Sequence, residues 1–396
     1  MPHSAPHQRQ PPEAPAAMPA TAGRTWLRRS ALALALAATC ALWSVGLVGW
    51  PDAASAVDTA QREISGFAEL PPGLDGTGVV VAIVDTGVDL EHPMLADRLV
   101  AGWDFVDQEA SPDDLNGHGT HVAGLVSGST GMAAGASIMP VRVLDAEGAG
   151  SQEMIASGIR WAADHGAQVI NLSLGDSGRL DRIRKDGPIA AAIREVSDHA
   201  VVVAAAGNDS QYEQVFRVGV PALVVVAVDD TGLPATFTNI GDSRAIAAPG
   251  VEVASTAPHE PTSLFPNGTG GIATLSGTSM AAPFVSAAAA VLIQAGAAPS
   301  EVVELIQATA QPTDDPRAGA GILDAAAAVG AVPSTPVTVP SSSATSPAPT
   351  TDGSVIIAAA KDEPDRGEWL FADVIGLFVV LALTAVIAAA YAVRRR

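Results

Sequence analysis

The chain has 396 residues, 48% of them hydrophobic, and a formal net charge of −21. Residues 51–369 hold 14 Lys and Arg against 40 Asp and Glu, a balance that repels phosphates and argues against a nucleic-acid partner. The single cysteine, Cys40, excludes an intramolecular disulfide, and the length suits one large α/β domain with flanking segments.

Residues 1–23 are rich in Pro, Ala and Gln and read as a disordered leader. Arg24, Arg28 and Arg29 precede an apolar run at 31–50, followed by Ala54-Ser55-Ala56. That is the pattern of a signal peptide ending at residue 56, with an uncleaved signal anchor as the alternative. Residues 57–332 have globular composition. Val79-Val80-Val81-Ala82-Ile83-Val84 is a continuous apolar run ending at Asp85, as a buried parallel strand would be. Runs at 169–174, 201–206 and 223–228 repeat the pattern. Helical stretches at 152–164 and 189–196 lie between them. Strands alternating with helices predict an α/β fold, a mostly parallel sheet covered on both faces.

Residues 333–368 are rich in Pro, Ser and Thr and read as a linker. An apolar span at 369–393 then ends in Arg394-Arg395-Arg396, predicting a transmembrane helix with an interfacial Trp369 and a cytoplasmic basic tail at 369–396. The positive-inside rule places the globular part outside the cytoplasm, held at the cell membrane by a single pass.

Three motifs carry the chemistry. Asp85-Thr86-Gly87 puts a carboxylate at a strand end. Asn116-Gly117-His118-Gly119-Thr120-His121 places an imidazole among small residues at the start of a helix. Ser276-Gly277-Thr278-Ser279-Met280-Ala281-Ala282-Pro283 places a hydroxyl at another helix start, with Pro283 expected in its first turn. A serine hydroxyl needs an imidazole to take its proton, and the imidazole needs a carboxylate to fix its tautomer. Asp85, His118 and Ser279 are the catalytic candidates, and Asp…His…Ser is one of the orders in which this set occurs. A second Asp-Thr-Gly at 230–232 raises the aspartic-protease alternative, but it reads as a polar turn after a strand. His121 reads as a buried structural residue. By itself Gly207-Asn208 reads as a turn, and Ser173-Leu174-Gly175 as a strand end.

Over roughly residues 75–330 the chain resembles the subtilisin-like serine proteases, the subtilases. The resemblance implies a three-layer sandwich with a central sheet of about seven strands. It also implies endopeptidase activity on protein or peptide substrates through a Ser279 acyl-enzyme. It makes Asn208 the oxyanion-hole donor and Ser173, Leu174 and Gly175 the strand that binds an extended substrate. No cofactor is implied. Many subtilases bind calcium, and Asp104, Asp107, Asp113 and Asp114 form an acidic loop where weak calcium binding is the alternative to a solvated surface.

The overall plan is also similar to the mycosins, membrane-anchored subtilases of type VII secretion systems. These share an export signal, a short N-terminal extension and a C-terminal transmembrane helix. They carry paired cysteines outside the membrane, which this chain lacks. Two readings follow: a membrane-anchored extracytoplasmic endopeptidase, or a mycosin-like scaffold of the type VII secretion machinery with proteolysis secondary.

Overall fold

The computed structural model describes residues 59–174, 186–211, 219–240 and 243–333, all within the first of the two units of the chain, Met1–Thr335. The expected signal peptide, most of the linker, the transmembrane span and Gly175 lie outside the described residues.

A short helix α1 (Thr59–Ile64) opens the described chain. Then come β1 (Val80–Asp85), β2 (Trp103–Asp104), α2 (His118–Val126) and β3 (Ser137–Arg142). The middle holds α3 (Gln152–Asp164), β4 (Val169–Leu172), α4 (Pro188–Val196), β5 (Val201–Ala205) and β6 (Leu223–Val228). Next are β7 (Ile246–Pro249), β8 (Val253–Thr256), β9 (Ile272–Leu275) and α5 (Thr278–Gln294). Helix α6 (Pro299–Thr309), β10 (Gly321–Ile322) and α7 (Ala325–Gly330) complete it.

Eight strands form one sheet in the order β10-β7-β6-β5-β4-β1-β3-β2, and every pairing in it is parallel. The expectation of about seven strands is thus corrected to eight. The two-residue strands β2 and β10 hold the edges, too short to carry a period-two pattern. Strands β8 and β9 form a separate antiparallel ribbon.

Alternation along each strand splits the core into two layers. On β1, Val81 and Ile83 face a cluster built with α2 and α5, while Ala82 and Val84 face one built with α3 and α4. Helix α5 is buried along nearly its whole length, and its run Ala287-Ala288-Ala289-Ala290 keeps it slim enough to lie close on the sheet. No single helix among the described residues is long and apolar enough to cross a membrane.

Strand order reverses around β1. The chain places β2 and β3 on one side of β1, then β4, β5, β6 and β7 on the other. In open parallel sheets the crevice beyond the strands' carboxyl ends at such a reversal is where ligands bind. Asp85 ends β1 and Ser173 follows β4, so both stand at that crevice.

Candidate active site

Asp85 is the last residue of β1 and is fully buried. Its Oδ1 accepts from the Thr86 amide at 2.8 Å and from His118 Nδ1 at 2.8 Å. With Nδ1 donating to a carboxylate, the other ring nitrogen is left with its lone pair. His118 is the first residue of α2 and remains partly open to solvent, with 23% of its side chain exposed. Burial lowers its pKa, but the Asp85 charge, the Asp85 hydrogen bond and the Asp114 charge outweigh that effect and raise it above 6.5.

The histidine loop is shaped by backbone contact. Gly119 packs so closely on the Asp85 loop that a β-carbon there would lie 2.1 Å from the Gly87 carbonyl oxygen. Gly117 has φ of 107°, which a residue with a β-carbon rarely adopts. Beneath this loop Asp114 accepts five hydrogen bonds. They come from Thr86 Oγ1, from the amides of Asn116, Gly117 and Thr120, and from Thr120 Oγ1, at 2.6–3.0 Å. Burial pushes its carboxyl up, against the pull of those donors. Every one of these neighbours donates, the pattern an ionised carboxylate requires. Thr86 Oγ1 in turn accepts from the Gly119 amide at 3.0 Å, tying the Asp85 loop to the start of α2.

Ser279 is the second residue of α5, so its amide has no intrahelical acceptor. The residue is only 6% exposed. In this arrangement Ser279 Oγ donates to the Ser173 carbonyl at 3.2 Å instead of to His118. Nucleophile–base hydrogen bonds in ligand-free sites are often unformed until substrate binds. Helices α2 and α5 pack against each other, so the imidazole and hydroxyl start adjacent helices.

Pro283 corrects an expectation. It lies inside α5, in the second turn instead of the first. A proline there removes the donor that would bond the carbonyl four residues earlier, that of Ser279. Ser173 Oγ donates to that carbonyl at 2.9 Å. Ser173 is itself held by Asn171, whose Nδ2 donates to Ser173 Oγ at 2.8 Å. Asn171 Oδ1 accepts from Ser286 Oγ, also at 2.8 Å. This buried polar chain links the middle of α5 to its first turn through β4. Periodicity gave no sign of it, because Asn171 sits in an otherwise apolar strand.

Asn208 follows β5 and is exposed. Its Oδ1 accepts from the Thr278 amide at 2.9 Å and from Thr278 Oγ1 at 3.1 Å. That orientation leaves Nδ2 as a donor beside the helix start, where a β-carbon on Gly277 would lie 3.4 Å from it. Nδ2 and the Ser279 amide are therefore two donors at the head of one helix, where negative charge is favoured. Leu174 is buried just past β4, next to Ser173.

The remaining candidates fall outside this cluster. Asp229 Oδ1 accepts from Thr231 N, Thr231 Oγ1 and Leu233 N, so the second Asp-Thr-Gly forms an exposed turn and is no catalytic loop. His121 is buried behind His118, with Nε2 on the Ala273 carbonyl at 3.1 Å. In the acidic loop Asp104, Asp107 and Asp114 already have partners. Arg142 Nη1 lies 2.6 Å from both Asp104 Oδ2 and Asp107 Oδ2, and Asp114 is spent on the histidine loop. Among the described residues no group of three or more His, Cys, Asp or Glu is placed to hold a metal ion.

Comparison with known proteins agrees with this geometry. The model of the subtilase family of S8 peptidases matches residues 76–330. Thermitase of Thermoactinomyces vulgaris is 40% identical over 244 residues, covering 60% of this chain and 82% of that protein. A thermophilic serine proteinase of Bacillus sp. strain AK1 is 39% identical over 250 residues, but the match spans only 57% of its length. Subtilisin DY of Bacillus licheniformis is 37% identical over 232 residues, covering 56% of this chain and 78% of that protein. Among solved structures, a cold-adapted subtilisin-like serine proteinase superposes with a TM-score of 0.54 at 31% identity, covering 64% of this chain and 90% of the other. With the sheet, the clustered motifs and the family match in agreement, this chain belongs to the subtilase family and is a subtilisin-like serine endopeptidase.

Proposed function

We propose that Ser279 is the nucleophile, His118 the general base and Asp85 the orienting carboxylate. Ser279 attacks the scissile carbonyl, and His118 takes the hydroxyl proton and returns it to the leaving amine. Asn208 Nδ2 and the Ser279 amide hold the oxyanion. The acyl-enzyme is then hydrolysed by water that His118 activates. Ser173, Leu174 and Gly175 pair with the extended substrate before the cut. The observation that carries this reading is the 2.8 Å contact between His118 Nδ1 and the buried Asp85 Oδ1, at the head of a helix packed on the one that begins with Thr278 and Ser279.

The enzyme works outside the cytoplasm, tethered by the apolar span at 369–393 and spaced from the membrane by the Pro/Ser/Thr-rich linker. The mycosin-like plan, a role beside type VII secretion machinery, draws support from the segment ahead of β1. There Arg62 Nη2 donates to the Thr130 carbonyl at 3.1 Å and the Ser65 carbonyl accepts from the Ala325 amide at 3.0 Å, so this extension is bound to the body.

Fluorophosphonate labelling of the full-length chain and its Ser279→Ala variant tests the nucleophile. Labelling of wild type alone is expected. Labelling that survives in the variant removes Ser279 from the role, and labelling of neither favours the scaffold reading.

A further inference from the structure

The loop at 257–271, which joins β8 to β9, is pinned to the strand of chain that leads into His118. Ser263 N donates to the Leu115 carbonyl at 3.2 Å, and Leu264 N donates to the Asn116 carbonyl at 3.0 Å. Thr262 Oγ1 also reaches the Asn116 carbonyl, at 2.6 Å. The Phe265 ring packs so closely on Gly117 that a β-carbon there would be 2.7 Å from Phe265 Cδ2. Four large hydrophobic side chains are notably exposed among the described residues. Two of them, Leu115 and Leu264, lie on the two segments joined at this junction, with exposures of 49% and 41%. Phe265, half-buried, packs against Gly117, the residue before His118.

Position decides what this apolar rim can touch. The substrate segment before the cut is assigned to Ser173, Leu174 and Gly175, on the β4 side of Ser279. The segment after the cut must present its amine to His118, which returns the proton to it. It therefore leaves the site on the His118 side. The β8–β9 ribbon packs along α2 on that side, with Ser255 Oγ and Thr256 Oγ1 donating to the His121 and Thr120 carbonyls at 2.8 and 2.7 Å.

We propose that Leu115, Leu264 and Phe265 form the subsite for an apolar side chain on the leaving-group side of the scissile bond. The inference rests on the protease reading above. It adds a substrate preference: cleavage is fastest before residues such as Leu, Ile or Phe. A leucine side chain desolvated against such a rim recovers part of its transfer free energy, enough for about a tenfold preference over serine.

Acyl transfer isolates this subsite. The full-length chain is acylated with a peptidyl ester in the presence of amino-acid amides, and partition between hydrolysis and peptide formation is measured. The attacking amine occupies the leaving-group subsite, expels Ser279 Oγ from the acyl carbon and gives its proton to His118. Wild type is expected to prefer leucine amide over serine amide about tenfold. Leu264→Ser and Leu115→Ser, at exposed positions, should each reduce that preference at least threefold. Leu264→Lys should raise transfer to glutamic acid amide. Equal partition to leucine and serine amides in wild type, or a preference unmoved in all three variants, overturns the subsite while leaving the enzyme intact. Absence of any ester turnover instead overturns the protease reading on which it rests.

Discussion

Ser173 and Ser279 hold each other by crossed hydrogen bonds. Ser173 Oγ donates to the Ser279 carbonyl at 2.9 Å, and Ser279 Oγ donates to the Ser173 carbonyl at 3.2 Å. The first bond exists because Pro283 supplies no amide to that carbonyl. A proline in the second turn of α5 thus frees a backbone acceptor that Ser173, just past β4, then grips.

Ser173→Ala should leave the buried Ser279 carbonyl without a donor and cost about 1–3 kcal/mol of stability. It also removes the acceptor of Asn171 Nδ2. In a Pro283→Ala background residue 283 regains an amide, and the carbonyl regains an intrahelical partner. The Asn171 loss is common to both backgrounds and cancels. A double-mutant cycle by urea unfolding should therefore show the two substitutions coupled by about 1 kcal/mol, Ser173→Ala costing less when Pro283 is absent. Additive effects would mean that Pro283 and Ser173 do not share this carbonyl.

The pH dependence of turnover follows from the charges around His118. The proposed base must be neutral to take a proton, and the folded pKa of His118 is raised above 6.5 by Asp85 and Asp114 against the lowering effect of burial. Activity should rise with pH along a limb whose midpoint lies above 6.5. Linkage has the opposite sense for stability. The contribution from protonated His118 is fully present below 6.5 and is lost as pH rises through the folded value. Asp114→Asn should move the acidic limb of kcat/KM downward, because one of the charges raising the pKa is gone. A limb that stays in place would show that Asp114 shapes the loop without acting on the ring's charge.

The parts of the site that could be read from the chain are those marked by small residues. Gly117, Gly119 and Gly277 surround the functional side chains, where the Phe265 ring, the Gly87 carbonyl and the Asn208 amide approach them, and that composition is visible without a structure. Helix Gln152–Asp164 is legible to its ends, since Ser151 caps it through the Met154 amide and its apolar face repeats at helical spacing. Strand Leu223–Val228 is an unbroken apolar run and equally legible. What stayed hidden depends on contacts between distant segments. Strands β2 and β10 have two residues each and are defined only by their partners. Asp114 looked like one more acid in an exposed loop, yet it is buried under five donors supplied by residues 86–120. The grip of Ser173 on Ser279 spans 106 positions of chain, beyond any local pattern.

Asn208 offers a test that separates its two functions. Its Oδ1 caps the Thr278 amide, while its Nδ2, beside Gly277, is the proposed oxyanion donor. Asn208→Asp keeps the acceptor and replaces the donor with negative charge. Turnover should fall at least a hundredfold, the scale of a lost oxyanion donor, with KM changed far less. Thermal unfolding should change little, because the helix start keeps its cap. A variant with near-normal kcat would exclude Asn208 from the oxyanion site.

His121 should steepen the loss of stability in acid. It is fully buried, with Nε2 on the Ala273 carbonyl at 3.1 Å. Burial, with a further push from His118, lowers its pKa to about 3. The folded protein therefore keeps this ring neutral, while the unfolded chain takes up a proton near 6.5. Its contribution to stability is present above 6.5 and is lost as pH falls from 6.5 towards 3, at up to about 1.4 kcal/mol per pH unit. His121→Met fills similar space without a titrating group. Urea unfolding between pH 6 and pH 4, in a Ser279→Ala background to prevent self-digestion, should show a shallower loss of stability in the His121→Met variant. An unchanged slope would mean that other groups govern acid unfolding.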